Sequence, residues 1–355
     1  MKITQAKAWI EHFDLKKAYA IARETFTSVD NVFISLETQD GTVGYGVASP
    51  AEDVTGETAE ACLRAAELNL EQYVKGQDIR CFAGILRKLE DQIQSTPAAI
   101  AAIDIALHDL FAKRLGLPLV DFLGKVHHSL ATSVTIGISS VEESLDDAKE
   151  YVSQGFKILK VKIGRSLELD IERLTKIREL VGNDKMIRVD GNQGYSGQTF
   201  RQFIEQAKSL DLELIEQPLD VKEDQTMKLL PEKVRKIAAA DESLHELKDA
   251  LKLSQKPHMF GIYNIKLMKC GGIQAGRQIA EIAHTAGIKL MWGCMDESII
   301  GISAALHAAF SSPATRYLDL DGSFNLKRDF VRNGFELENG NLKVSDRPGL
   351  GVIPI

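Results

Sequence analysis

Three short runs, MIRVDGN at 186–192, LELIEQP at 212–218 and KIAAADES at 236–243, each carry apolar residues up to one acid, Asp190, Glu216 or Asp241, and then break into turn-forming residues. A short apolar run bounded by turn signals reads as a strand buried on both faces, with its polar residue at the C-terminal end. The rhythm continues outward in both directions, through SVTIGI at 133–138, ILKVKIG at 158–164, YNIKLMKCGG at 263–272, IKLMWGCMDES at 288–298 and RYLDLDG at 316–322. With Thr135, Lys162, Asp190, Glu216, Asp241, Lys266, Cys294 and Asp319 as strand ends, the ends recur every 25 to 28 residues. Such an interval holds a strand, a helix of about ten residues and two short loops, which is the content of a right-handed crossover between parallel strands. The intervening segments VEESLDDAKEYVSQG, LELDIERLTKIRELVG and IQAGRQIAEIAHTAG have apolar residues at helical spacing and stop at glycine. Eight such strands close into a barrel. No comparable amphipathic segment follows Asp319, so the expected fold is α/β, a (β/α)7β modified TIM barrel over residues 126–322.

Residues 1–125 follow a different pattern. Candidate strands KITQAKAWI, NVFISLETQD and GTVGYGVAS come first, then apolar helical patterns from Glu57 to Leu115, which together make an α+β domain. The C-terminal segment 323–355, with FELENGNLKVSDRPGLGV inside it, reads as short strands and turns expected to return to that domain.

Composition narrows the functional classes. The 355-residue chain is 44% hydrophobic and 26% charged, with a formal net charge of −7. Charges of both signs are dispersed, so the basic stripe of a nucleic-acid surface is missing, and a small-molecule partner is expected instead. No run of about 18 uncharged apolar residues offers a membrane span. The N-terminus alternates polar and apolar residues rather than forming a signal-peptide core, so a cytoplasmic location is expected. Cys62, Cys81, Cys270 and Cys294 have neither CxxC spacing nor the density of a disulfide scaffold, and read as free thiols.

A parallel barrel gathers the C-terminal ends of its strands at one face. Asp190, Glu216 and Asp241 therefore meet there, three hard oxygen donors suited to Mg²⁺. Turn and capping preferences would explain DGN and DES singly, but Glu216 is not a favoured capping residue and the three strands are neighbours. Lys160 and Lys162 lie on the second strand and Lys266 at the end of the sixth, diametrically opposite in a ring of eight. Two residues apart, Lys160 and Lys162 point the same way, and each charge is expected to lower the other's proton affinity toward that of a base. Lys269 reads as support for its turn. Asp319 and Asp321 share one side of the eighth strand, across from Glu216, so a metal-bound carboxylate at one end and an ammonium at the other would suit a small zwitterion.

Together, KVK, DGN, EQP, DES, KLMKCGG and DLD resemble the enolase superfamily, specifically its muconate-lactonising-enzyme subgroup and, within it, the dipeptide epimerases of the L-Ala-D/L-Glu type. The resemblance implies an N-terminal domain capping the barrel, one Mg²⁺ on Asp190, Glu216 and Asp241, and Lys162 and Lys266 as acid/base residues on opposite faces of the substrate α-carbon, with Lys160 assisting. It further implies inversion of the C-terminal residue of an L-Ala-Xaa dipeptide through an enediolate, with Asp319 and Asp321 on the free ammonium. Thr135 and Met295, beside the first and seventh strand ends, are expected to touch the substrate. Capping loops at Lys16–Thr27 and AEDVTGET (51–58) would read the epimerised side chain, Arg23 pairing with a Glu, or Tyr19, Ile21 and Phe26 enclosing a small or apolar group. Homo-oligomers are common in the family.

Other reactions on this fold, N-acylamino acid racemisation, o-succinylbenzoate synthesis and muconate cycloisomerisation, use the same lysines and Mg²⁺ without needing two aspartates at an ammonium. A non-catalytic metabolite-binding barrel is the reading from another class, and the clustered lysines and acids argue against it.

Overall fold

Strands Ile3–Ala20, Thr25–Thr38 and Val43–Ala48 form an antiparallel sheet in which Trp9 stands opposite Phe33 with their rings stacked 5.7 Å apart. The computed structural model describes residues 1–20, 25–92 and 95–355. The helix Pro97–Leu115 lies against this sheet and is buried along nearly its whole length, which is why its sequence is apolar all round. Gly46 makes the close approach possible, because a Cβ there would stand 1.9 Å from the Ala102 carbonyl oxygen. Proline opens the helix and Gly116, at φ 70°, closes it. The buried Glu57 accepts the Ala98 and Ala99 N–H groups at 2.8 and 3.3 Å, satisfying donors that the first turn leaves free.

The first strand runs further than its sequence suggests. KITQAKAWI marks only its first half; the strand continues to Ala20 with a register break between Asp14 and Tyr19. The described residues of Lys16–Thr27, expected as loop, are mostly strand. Pairing satisfies only alternate backbone groups of two such strands, and here other segments take up part of the rest: Lys16 N–H donates to the Asn325 carbonyl at 2.7 Å, Lys327 N–H to that of Asp14 at 3.0 Å and Ile138 N–H to that of Ala20 at 2.8 Å, which ties the arm to the barrel mouth.

The barrel strands are Val134–Ile136, Ile158–Lys162, Met186–Asp190, Leu212–Glu216, Ala238–Ala240, Ile262–Ile265, Lys289–Gly293 and Thr315–Asp319, paired in chain order as an eight-stranded parallel sheet. The ring closes where Ser133 N–H donates to the Leu318 carbonyl at 3.1 Å. Each of the seven crossings carries a helix and none follows the eighth strand, giving the (β/α)7β barrel. The cap and barrel are fastened at Gly272, whose φ of 110° and lack of a Cβ admit Asp104 of the cap helix. Asp104 then accepts Ile273 N–H at 2.6 Å and Gln274 N–H at 3.2 Å, capping the barrel helix Ile273–Ala286.

The C-terminal segment touches both parts. Strands Phe335–Glu338 and Asn341–Val344 extend from Leu130–Ala131 beside the barrel, while Phe330 packs 5.4 Å from both Trp9 and Phe33 of the cap.

Candidate active site

A cleft of about 970 Å³ opens at the C-terminal ends of the barrel strands, roofed by Lys16–Ala20, Thr25, Phe26, Ser49–Ala51, Asp53 and Val54 of the cap. Lys160, Lys162, Asp241, Lys266, Asp319, Asp321, Thr135 and Met295 all line it. Asp190 and Glu216 lie just beneath, fully buried. Arg23 and Ile21 lie outside the described residues; Tyr19 and Phe26 line the cleft, their rings 5.5 Å apart.

Strand geometry explains the convergence. In-register parallel pairing sets Lys162 beside Asp190 and Asp190 beside Glu216, so residues far apart in sequence end at one level. Lys162 Nζ donates to Asp190 Oδ2 at 2.7 Å and to Asn192 Oδ1 at 2.9 Å. From the other side of the ring, Lys266 Nζ donates to Asp241 Oδ2 at 2.8 Å. Lys160 sits between Asp190, Glu216 and Asp319, at 3.0, 2.8 and 2.6 Å.

These contacts set the electrostatics. Burial by itself would lower the proton affinity of Lys160, but the carboxylates of Asp190, Asp319 and Glu216 outweigh it and hold that affinity well above the usual lysine value. Lys266 is raised for the same reason, with burial opposed by Asp241 and Glu216. For Lys160, the lowering expected beside another lysine does not appear, because acids in contact raise its affinity instead. Burial resists ionising Asp190, yet Lys160 and Lys162 keep it below the ordinary carboxylate range. Lys266 and Lys269 do the same for Asp241. Burial, then the charge of Asp190, pushes Glu216 up to about 8.

Among the described residues no three acid, His or Cys side chains already converge as a ligand cage, because lysine ammonium groups lie between the acids. The donor set nevertheless fits a hard divalent cation. Glu216 Oε2 is buried and, although Lys160 is close, accepts no hydrogen bond among the described residues. Buried, acid-only and partly unsatisfied, the cluster has the character of a site completed by positive charge.

Sequence reasoning missed several participants. Lys269 is buried and donates to both the side chain and the backbone carbonyl of Asp241, so it is part of the site rather than of the turn. Its signal was a second lysine at helical spacing from Lys266. Asn264 donates to Glu216 Oε1 at 2.8 Å. Gln217, with φ 28°, accepts the N–H groups of Asp241 and Ser243 at 3.0 and 3.2 Å and so positions the third acid. Tyr19 of the cap donates to Asp296 Oδ2 at 2.5 Å, while the Asp296 carbonyl accepts from Asn31 and Ser49.

The two aspartates of the eighth strand end differ. Asp319 is committed through both oxygens, to Ser133 Oγ at 2.6 Å and to Lys160. Asp321 accepts the Thr135 N–H on Oδ2 at 2.7 Å, and the Thr135 side chain also hydrogen-bonds to it. Burial and the neighbouring Asp319 push Asp321 up to about 6, a carboxylate short of a cation. Cys294 beside it is held as a neutral thiol, raised by burial and by Asp321.

Comparison with known proteins adds an independent line. Residues 5–124 match the mandelate racemase/muconate lactonizing enzyme N-terminal domain, and residues 143–354 match the enolase C-terminal domain-like family. An L-Lys-D/L-Arg epimerase of Desulforapulum autotrophicum is 52% identical over 352 residues, covering 99% of each chain. An L-Ala-D/L-Glu epimerase of Clostridium acetobutylicum is 35% identical, covering 95% of each. The crystal structure of a dipeptide epimerase from Methylococcus capsulatus, complexed with Mg and L-Arg-D-Lys, superposes with a TM-score of 0.96 at 49% identity, covering 99% of this chain and 100% of that one.

Proposed function

The chain belongs to the enolase superfamily, and from that premise we propose that it is a Mg²⁺-dependent dipeptide epimerase working through two lysines. Asp190, Glu216 and Asp241 would hold the metal. Mg²⁺ there supplies a Lewis acid against the negative charge that grows on the substrate carboxylate as its α-proton leaves.

The remaining work belongs to the chain. An unprotonated Lys162 or Lys266 takes the α-proton, and the electron pair passes into the substrate's own carboxylate. The other lysine, as ammonium, returns a proton to the opposite face and the configuration inverts. Lys160, held charged by three acids, offsets their mutual repulsion. Asp321, oriented by Thr135, presents its carboxylate to the substrate's α-ammonium. The observation that carries the reading is that Lys162 and Lys266, from strands four places apart in the ring, enter one cleft with Asp321 on its wall.

The cleft favours cationic side chains. Asp296, which feels the charges of Lys162 and Lys266, lines it together with Asp53, Glu143, Asp147 and Glu150. Lys and Arg also appear in the names of the Desulforapulum relative and of the Methylococcus ligand. L-Ala-Xaa substrates are the second reading, favoured by the Clostridium relative's name. Among the described residues no helix is long and apolar enough to cross a membrane. Four free cysteines accord with the cytoplasm, where thiols stay reduced.

The test is incubation with Mg²⁺ and dipeptide mixtures in D₂O, read by mass spectrometry, with EDTA as control. Gain of one deuterium in Lys- and Arg-containing dipeptides, abolished by EDTA, is expected. Exchange confined to N-acyl amino acids would overturn the dipeptide assignment.

A further inference from the structure

Beyond Asp321 the cleft runs outward along the helix Val141–Ser153, whose Glu143, Asp147 and Glu150 form its wall with Tyr151. Asp147 is the buried acid of the three. Its Oδ1 is occupied by the ammonium of Lys17, which reaches across from the first strand of the cap. The two partners are unequally seated, since the Lys17 side chain is 57% exposed and that of Asp147 only 11%. An ion pair with one partner this exposed to water is weak and exchangeable. Asp147, Glu150, Tyr151 and Asp321 line this one cleft, and burial, then the charges of Asp147, Asp321 and Glu150, push the Tyr151 phenol up.

We propose that Asp147 reads the side chain of the substrate's first residue when that residue is Lys or Arg, and that Lys17 is a built-in cation which such a side chain displaces. This rests on the epimerase reading above. The α-carbon that reacts must lie between Lys162 and Lys266, and the α-ammonium at Asp321, so the first side chain is left to run along the Val141–Ser153 helix. A side chain ending in ammonium or guanidinium meets at Asp147 the interaction that Lys17 already makes there. A neutral side chain leaves the Lys17–Asp147 pair undisturbed and gains nothing from it. The device therefore grades first residues by charge without excluding alanine, and places the discrimination on the barrel helix and the cap arm together.

The experiment compares L-Arg-L-Lys with L-Ala-L-Lys as the ratio of their kcat/KM values for α-deuterium exchange, and as the ratio of their affinities by calorimetry. Asp147→Asn is expected to lower both ratios about tenfold, the loss of one charge-assisted contact. Lys17→Met is expected to raise them about threefold by removing the competitor. Asp146→Asn, on the solvent side of the same helix and paired at 3.1 Å with Lys149, is expected to leave them unchanged. Unchanged ratios in Asp147→Asn and Lys17→Met, or an equal fall in Asp146→Asn, would overturn the proposal while the epimerase reading stands. If Asp147→Asn does not fold, Lys17→Met decides alone. Binding that follows the expected ratios without any deuterium exchange in the unmodified protein would instead sink the epimerase reading and keep the assignment of Asp147.

Discussion

Asn264 donates its side-chain amide to Glu216 Oε1 at 2.8 Å, from one barrel strand to another across the shorter strand between them. Both residues are fully buried, and Gly293 closes the space around Asn264, since a Cβ there would lie 2.6 Å from its Oδ1. The contact fixes which way the proposed ligand turns. Asn264→Leu is expected to raise the Mg²⁺ concentration for half-maximal activity by about ten- to a hundredfold, the usual cost of losing a residue that orients a metal ligand. A metal titration of the variant checks this, and an unchanged midpoint would show that Glu216 needs no such support.

Lys162 and Lys266 are paired with different acids on opposite sides of the cleft, so neither can substitute for the other. Lys162→Ala and Lys266→Ala are each expected to lower epimerisation by about a hundred- to ten-thousandfold, the range for a lost general acid or base. Each variant should retain α-hydrogen exchange with only one enantiomer at most, measured by deuterium gain in D₂O. Full epimerase activity in either would refute the two-lysine assignment.

Asp321 and Asp319 separate experimentally because Asp319 is spent on Ser133 and Lys160. Asp321→Asn is expected to lower kcat/KM for a free dipeptide about tenfold or more relative to its N-acetylated form, since only the former presents an ammonium. Asp319→Asn should impair both substrates alike by removing a counter-charge from Lys160. Equal effects of Asp321→Asn on both substrates would remove it from the ammonium site.

His307 links stability to pH away from the cleft. It is buried, accepts the Val120 N–H on Nδ1 at 2.9 Å, and burial drops its proton affinity to about 3 from 6.5. Between those values the unfolded chain binds the proton and the folded chain does not, so stability is full above about 6.5 and is lost as pH falls toward about 3, by at most about 1.4 kcal/mol per pH unit. Urea unfolding followed across this window should show a shallower fall for His307→Gln than for the unmodified protein. Parallel curves would mean that His307 does not govern this dependence.

Most of the barrel was legible because its signal is local and repeated: each strand ends in a chemically distinctive residue at a nearly constant interval. Lys269 and Asn264 were harder to read. A lysine in a glycine-rich turn carries only its spacing from Lys266 and an asparagine inside an apolar run carries no pattern at all, and their importance comes from what lies opposite them in the ring. The cap arm was misjudged from Lys16 onward because its polar residues break the alternation, while across the register break Asn325 of the C-terminal segment holds the strand by accepting the Lys16 and Lys17 N–H groups.

By itself the sequence determined the ring of eight strand ends, and with it which acids and lysines share one face, since parallel strands joined by helices can put those ends nowhere else. Only the tertiary structure decided how they are used. It showed that acids in contact outweigh the burial of Lys160, that Asp319 is engaged by Ser133 and Lys160 while Asp321 is turned to Thr135, and that Lys17 of the cap sits on Asp147 of the barrel. Those outcomes depend on distances of a few ångströms between residues that different strands bring together, and electrostatic and hydrogen-bond energies change over that scale.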